Sequence, residues 1–120
     1  MSRDHRTLRL FQQADALVLR TYRLTVGLPV EERYGLQAQI RRAAISVATN
    51  IVEGSARYSE GDYCRFLEIA HGSARETSYL LGLLSALEFI DAALTQPLTN
   101  DYDTVAAGFL KGDVPITVEN

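Results

Sequence analysis

The sequence predicts an all-α fold: an antiparallel up-and-down four-helix bundle in one domain spanning residues 1–120. Three observations carry that reading. Apolar residues recur at spacings of three and four along most of the chain, the connections between those runs are short, and alternating strand patterns are nearly absent.

The first helix is predicted over roughly 8–26, where Leu10, Ala14, Leu17, Val18, Thr21 and Thr25 keep the period and Gly27 and Pro29 close it. After the turn GLPVEERYG, a second helix over 36–54 carries Leu36, Ile40, Ala43, Ala44, Val47 and Ile51. Gly54 is its expected stop, because glycine accepts a left-handed backbone without penalty. Ser59 is placed to cap a third helix over 60–89, with Asp62 in its first turn. Its apolar series runs through Phe66, Leu67, Ala70, Ala74, Thr77, Leu81 and Leu84 without a proline. Past DAALTQP the signal weakens, and Tyr102, Val105, Ala106, Phe109 and Leu110 predict a shorter helix over 98–111 ended by Gly112. Residues 112–120 read as a loose tail.

A chain of 120 residues with 47% hydrophobic content suits one packed core. The net charge of −3 gives no overall reason to expect nucleic acid, but it is unevenly spread. Residues 1–75 hold eleven arginines against eight acids, whereas residues 76–120 hold one lysine against seven. Cys64 is the single cysteine, which excludes an intrachain disulfide or a cysteine-rich zinc site and fits a reducing compartment. No stretch approaches the roughly 20 apolar residues of a membrane span, and MSRDHRTLRL lacks the apolar run of a secretory signal. A soluble, unprocessed, cytoplasmic protein is expected.

A bundle helix needs one apolar stripe, yet helices two and three each carry a second. At 100° per residue Ile45, Ala48 and Val52 fall roughly 80–140° from Ile40, outside the core arc. Ile69, Leu80, Leu83, Leu87 and Ile90 gather likewise at roughly 180–260° from Tyr63 on the third helix. Four helices have few internal surfaces left to cover such faces, so a homo-oligomer with these residues at its interface is expected.

Beside the core stripe of the second helix, Gln39, Arg42, Ser46, Asn50, Glu53 and Arg57 line up as one polar ridge, and Ser73 and Glu76 occupy a similar flank of the third. The structural expectation is a hydrogen-bonding network that fixes helix register, since unpaired polar groups near a core cost about 1–3 kcal/mol each. The chemical alternative makes Glu53 and Glu76 a carboxylate pair for metal or acid–base work. Glu68-Ile69-Ala70-His71 has the Glu-x-x-His spacing of di-iron bundles, which need it twice; the other histidine, His5, follows Ser2 at that offset, so no metal is expected. Cys64 has no evident base beside it, glycine-rich phosphate loops are absent, and neither a catalytic residue nor a cofactor is expected. The arginines of the first half, Arg20, Arg23, Arg41 and Arg42 foremost, form the one candidate RNA-contacting set, set against the alternative of a salt-bridged solvated face.

The stretch from Leu28 to Glu76 resembles the signature of the bacterial four-helix-bundle proteins known as 23S ribosomal RNA intervening-sequence proteins. The matching positions are Pro29, Glu32, Leu36, Gln39 to Ala44, Ser46, Asn50 to Gly54, Arg57, Gly72 to Ala74 and Glu76. The resemblance implies a small bundle that assembles as a ring, typically a pentamer, with no established enzymatic activity. A related branch serves diversity-generating retroelements, where a strongly basic pentamer partners a reverse transcriptase and RNA. The expected function is therefore a non-enzymatic ring-forming scaffold with an unidentified RNA or protein partner. The alternative is an RNA-binding accessory protein that uses the Arg-rich first half.

Overall fold

A computed structural model describes residues 3–110, and within them four α-helices and two short 3-10 turns account for the secondary structure, with no β-strand. Helix α1 spans Arg9–Thr25, α2 Leu36–Ser55, α3 Glu60–Ala86 and α4 Ala92–Leu110. They pack round one core as an elongated body of 46 × 24 × 20 Å. Leu10, Ala14 and Leu17 of α1, Ile40, Ala44, Val47 and Ile51 of α2, Leu67, Ala74, Leu81 and Leu84 of α3, and Leu98, Val105 and Phe109 of α4 meet there. None of the helices among the described residues is long and apolar enough to cross a membrane.

Each seam is marked by side-chain pairs at several levels. Between α2 and α3, Gln39 meets Glu76, Ser46 meets Ser73, and Gly54 lies against Tyr63 and Phe66. Between α3 and α4, Ser78 donates to Asp103 and His71 contacts the Ala106 carbonyl oxygen. Between α4 and α1, Arg20 pairs with Asp101, Tyr102 meets Thr21, and Gly108 lies beside Leu10.

The helix ends show why the chain turns where it does. At the end of α1, Gln37 Nε2 donates to the Thr25 carbonyl at 3.0 Å and Arg41 Nη2 to the Tyr22 carbonyl at 3.2 Å, so α2 satisfies carbonyls that α1 leaves open. The Glu32 carboxylate accepts from the Leu36 amide at 3.1 Å and so caps α2 from the preceding turn. A Cβ on Gly35 would stand 2.9 Å from that same carboxylate oxygen. Ser59 caps α3, its Oγ accepting from the Asp62 amide at 3.0 Å.

Two boundaries depart from the sequence reading. Helix α3 stops at Ala86, before the predicted 89, in a Schellman closure: the Phe89 amide donates to Leu84 O and the Glu88 amide to Ser85 O. Glu88 takes the left-handed position there, with φ of 64°. Helix α4 begins at Ala92, before the predicted 98, because Asp91 Oδ1 accepts from the Ala93 amide at 2.9 Å and caps it. Pro97 removes one hydrogen bond near the start of α4 and does not end it. The predicted closure at Gly112 and the tail 112–120 lie outside the described residues.

Gly54 corrects a third reading. Helix α2 runs through it to Ser55, and the Gly54 backbone stays helical. What glycine supplies is closeness, since a Cβ there would stand 2.9 Å from Phe66 Cβ and 3.1 Å from Tyr63 Cδ1.

Candidate functional site

The predicted ridge forms a ladder along the α2–α3 seam. At its upper end Gln39 Nε2 and Arg42 Nη2 both donate to Glu76 Oε2, at 2.9 and 3.3 Å. One turn on, Ser46 Oγ and Ser73 Oγ lie 2.7 Å apart, and Asn50 Nδ2 donates to Ser46 Oγ at 3.0 Å and to Ser46 O at 2.8 Å. At the lower end Arg57 Nη2 donates to Glu53 Oε1 at 3.3 Å, while the guanidinium lies over the Phe66 ring. The helix repeat places these residues on one flank, and the burial of Ser73 requires that its hydroxyl find a partner across the seam.

Glu53 and Glu76 do not come together. Glu76 is held at Gln39 and Arg42, and Glu53 lies eleven residues beyond Arg42, about 16 Å along the axis. Each carboxylate instead faces an arginine in a solvent-exposed ion pair, an arrangement worth at most about 1 kcal/mol. Glu68 is exposed, and His71 turns to α4, its Nδ1 lying 3.0 Å from Ala106 O and its ring meeting Phe109 edge-on. Among the described residues no group of three or more His, Cys, Asp or Glu side chains is arranged to hold a metal ion. Cys64 is exposed.

Below the ladder, the start of the chain folds over the α2–α3 turn. The Arg3 amide donates to Ser55 O at 2.6 Å, its guanidinium pairs with Glu60, and it stacks 3.9 Å from the centre of the Tyr63 ring. The Tyr63 hydroxyl is buried without a hydrogen-bond partner, and burial pushes its phenol up from the ordinary value, against the Arg3 charge. No signal in the sequence marked this strap.

The four arginines singled out for RNA have different situations. Arg41 is spent on α1, with Nε donating to Thr25 Oγ1 at 2.9 Å, Nη2 reaching Tyr22 O, and the guanidinium stacked on the Tyr22 ring. Arg20 pairs with Asp101 and Arg42 with Glu76. Arg23 is exposed with no ion pair among the described residues.

The surplus apolar face is narrower than the helical wheel suggested. Ala48 and Leu80 are each only 8% exposed and belong to the chain's own core, because the flanking helices cover a wider arc of α2 and α3 than a single stripe. Ile45, Ile69 and Leu87 are 38%, 44% and 49% exposed, with Val52 and Leu83 half-buried beside them. Ile45 and Val52 lie on the flank of α2 away from the ladder, while Ile69 and Leu83 lie on the flank of α3 that carries Ser73 and Glu76, and Leu87 is the residue that closes α3.

A family model described as 23S rRNA-intervening sequence protein matches residues 6–110. Among solved structures similar to the chain is a crystal structure, at 1.70 Å resolution, of a protein of unknown function from the S23 ribosomal protein family of Bacteroides thetaiotaomicron VPI-5482. The two are 25% identical, the alignment covers 85% of this chain and 95% of that one, and the TM-score is 0.76. No curated protein matches the chain.

Proposed function

We propose that this chain, which belongs to the 23S rRNA-intervening sequence protein family, is a non-enzymatic helical scaffold that assembles with copies of itself into a closed ring, a pentamer. The observation that carries the proposal is the set of aliphatic side chains left open on two helices, Ile45 on α2, Ile69 on α3 and Leu87 at the residue that closes α3. They lie on two separate flanks, as a head-to-tail contact that closes by rotation requires, rather than on one self-complementary patch. Within each protomer we infer the antiparallel up-and-down order, supported by partners that descend on one helix as they rise on the next: 39 with 76, 46 with 73, 54 with 66.

The ladder then serves assembly by fixing the register of α2 against α3, which sets the spacing of Ile45 and Ile69. A catalytic reading finds little support, since both ladder carboxylates are solvent-exposed and occupied by arginines. The RNA reading loses Arg41 to the α1 terminus and has Arg20 and Arg42 in ion pairs, so it is not the reading we favour.

The test is sedimentation of the Ile45→Asp/Ile69→Asp double variant. A shift to monomer with helical content retained is the expected result; an unchanged oligomer would remove these side chains from the interface.

A further inference from the structure

The corner where α2 turns into α3 holds an arginine in a cradle built from both helices and the turn between them. The Arg3 guanidinium lies 3.9 Å from the centre of the Tyr63 ring, with Nη2 on the Glu60 carboxylate and Nη1 3.5 Å from the Arg57 carbonyl oxygen. The Arg3 amide donates to Ser55 O at 2.6 Å. Ser55 ends α2 and Glu60 begins α3, so the cradle engages one residue twice, through its side chain and through its backbone. A planar fork that serves two acceptors while stacking on a ring is guanidinium chemistry, which a lysine ammonium does not reproduce.

Arg3 is held loosely in this cradle. The chain is pinned behind it, with Leu8 in the core and the Arg6 amide donating to Asp4 Oδ1 at 3.1 Å. Asp4, extended at φ −84° and ψ 105°, joins that pinned part to Arg3 and serves as the pivot. The Glu60 side chain is 74% exposed, so its ion pair gains little. The closed corner also carries a penalty. Three buried side-chain polar atoms among the described residues lack a hydrogen-bond partner, and two of them lie here, the Tyr63 hydroxyl and Arg57 Nε. Water that enters when Arg3 swings aside offsets the cost of such groups.

We propose that this cradle is a binding site for an arginine presented by another polypeptide, and that Arg3 is its resident occupant, closing the site until it swings aside. The ligand class follows from the occupant: an arginine in an extended segment, recognised by guanidinium and backbone amide together. A lysine in the same segment keeps the charge and loses the fork.

The experiment uses the full chain with Cys64→Ser as background and exploits two tyrosines with no exposure, Tyr63 in the cradle and Tyr102 in the core. Nitration by tetranitromethane, mapped tyrosine by tyrosine, reads opening of the corner at Tyr63 and opening of the whole bundle at Tyr102. Tyr63 is expected to react at least tenfold faster than Tyr102. Arg3→Ala is expected to speed Tyr63 at least fivefold and leave Tyr102 unchanged. In the Arg3→Ala chain, acetyl-Gly-Arg-Gly-amide at millimolar concentration is expected to slow Tyr63 at least threefold, and acetyl-Gly-Lys-Gly-amide to leave it unchanged. Equal rates at Tyr63 and Tyr102, an Arg3→Ala effect on neither or on both, or the same response to the two peptides would overturn the proposal.

Discussion

The Tyr102 hydroxyl lies 2.7 Å from Thr21 Oγ1, and both residues are fully buried between α4 and α1. Thr21 Oγ1 donates to the Leu17 carbonyl at 2.7 Å, so Tyr102 is the donor in this pair. One phenol thereby fastens the seam of α1 and α4, beside the half-buried Arg20–Asp101 ion pair.

Burial pushes the Tyr102 phenol up to about 12, with the Arg20 charge opposing it. An unfolded tyrosine titrates near about 10, so the folded state favours the protonated form. That stabilisation is fully present below about pH 10 and is lost as the pH rises through about 12. Tyr102→Phe is expected to cost about 1 kcal/mol at neutral pH. It is also expected to flatten the fall in stability between about pH 10 and 12, measured by denaturant unfolding across that range.

Gly54 and Gly72 make a matched pair on neighbouring helices. Gly54→Ala forces a methyl against Phe66 Cβ and Tyr63 Cδ1 and is expected to destabilise by about 1–3 kcal/mol. At Gly72 an added Cβ meets nothing within 4 Å, so Gly72→Ala is expected to stabilise α3 by about 0.5–1 kcal/mol. Thermal unfolding of the two variants reads both signs. Unchanged or raised stability in Gly54→Ala would contradict the close-packing account of that glycine.

Glu88 occupies the left-handed closing position of α3, where a side chain costs roughly 1–2 kcal/mol and glycine does not. Glu88→Gly is expected to raise stability by about 1 kcal/mol, less the entropy that glycine gains in the unfolded chain. An unchanged or lowered midpoint in urea would contradict the assignment.

Arg41 distinguishes fold from function among the arginines. Arg41→Lys keeps the charge but cannot serve Thr25 Oγ1 and the Tyr22 carbonyl together, so a loss of about 1–2 kcal/mol is expected. Arg23→Ala, with no such partners, is expected to stay within about 0.5 kcal/mol of the parent. Equal losses in the two variants would show that Arg41 is no anchor.

What the sequence made legible follows from the rigidity of helix geometry. The core stripes and the ladder could be read from the wheel because 3.6 residues per turn fixes which side chains share a flank. Partners across seams could not be read in this way. The contacts of Tyr102 with Thr21, His71 with the Ala106 carbonyl and Arg41 with the Tyr22 carbonyl depend on how the helices are set against one another, which no local period encodes. The start of α4 is read too late in the sequence because the apolar period weakens through DAALTQP, whereas Asp91, two residues before Ala93, was the available cap signal. Gly54 was read as a stop because glycine at a helix end has two uses, and only the nearness of Phe66 separates them.

The central claim is that this chain is a ring-forming scaffold, and the mass of the native particle tests it most directly. Native mass spectrometry at micromolar concentration is expected to show one discrete species containing five copies of the 13.3 kDa chain. A clean monomer under those conditions would contradict the account.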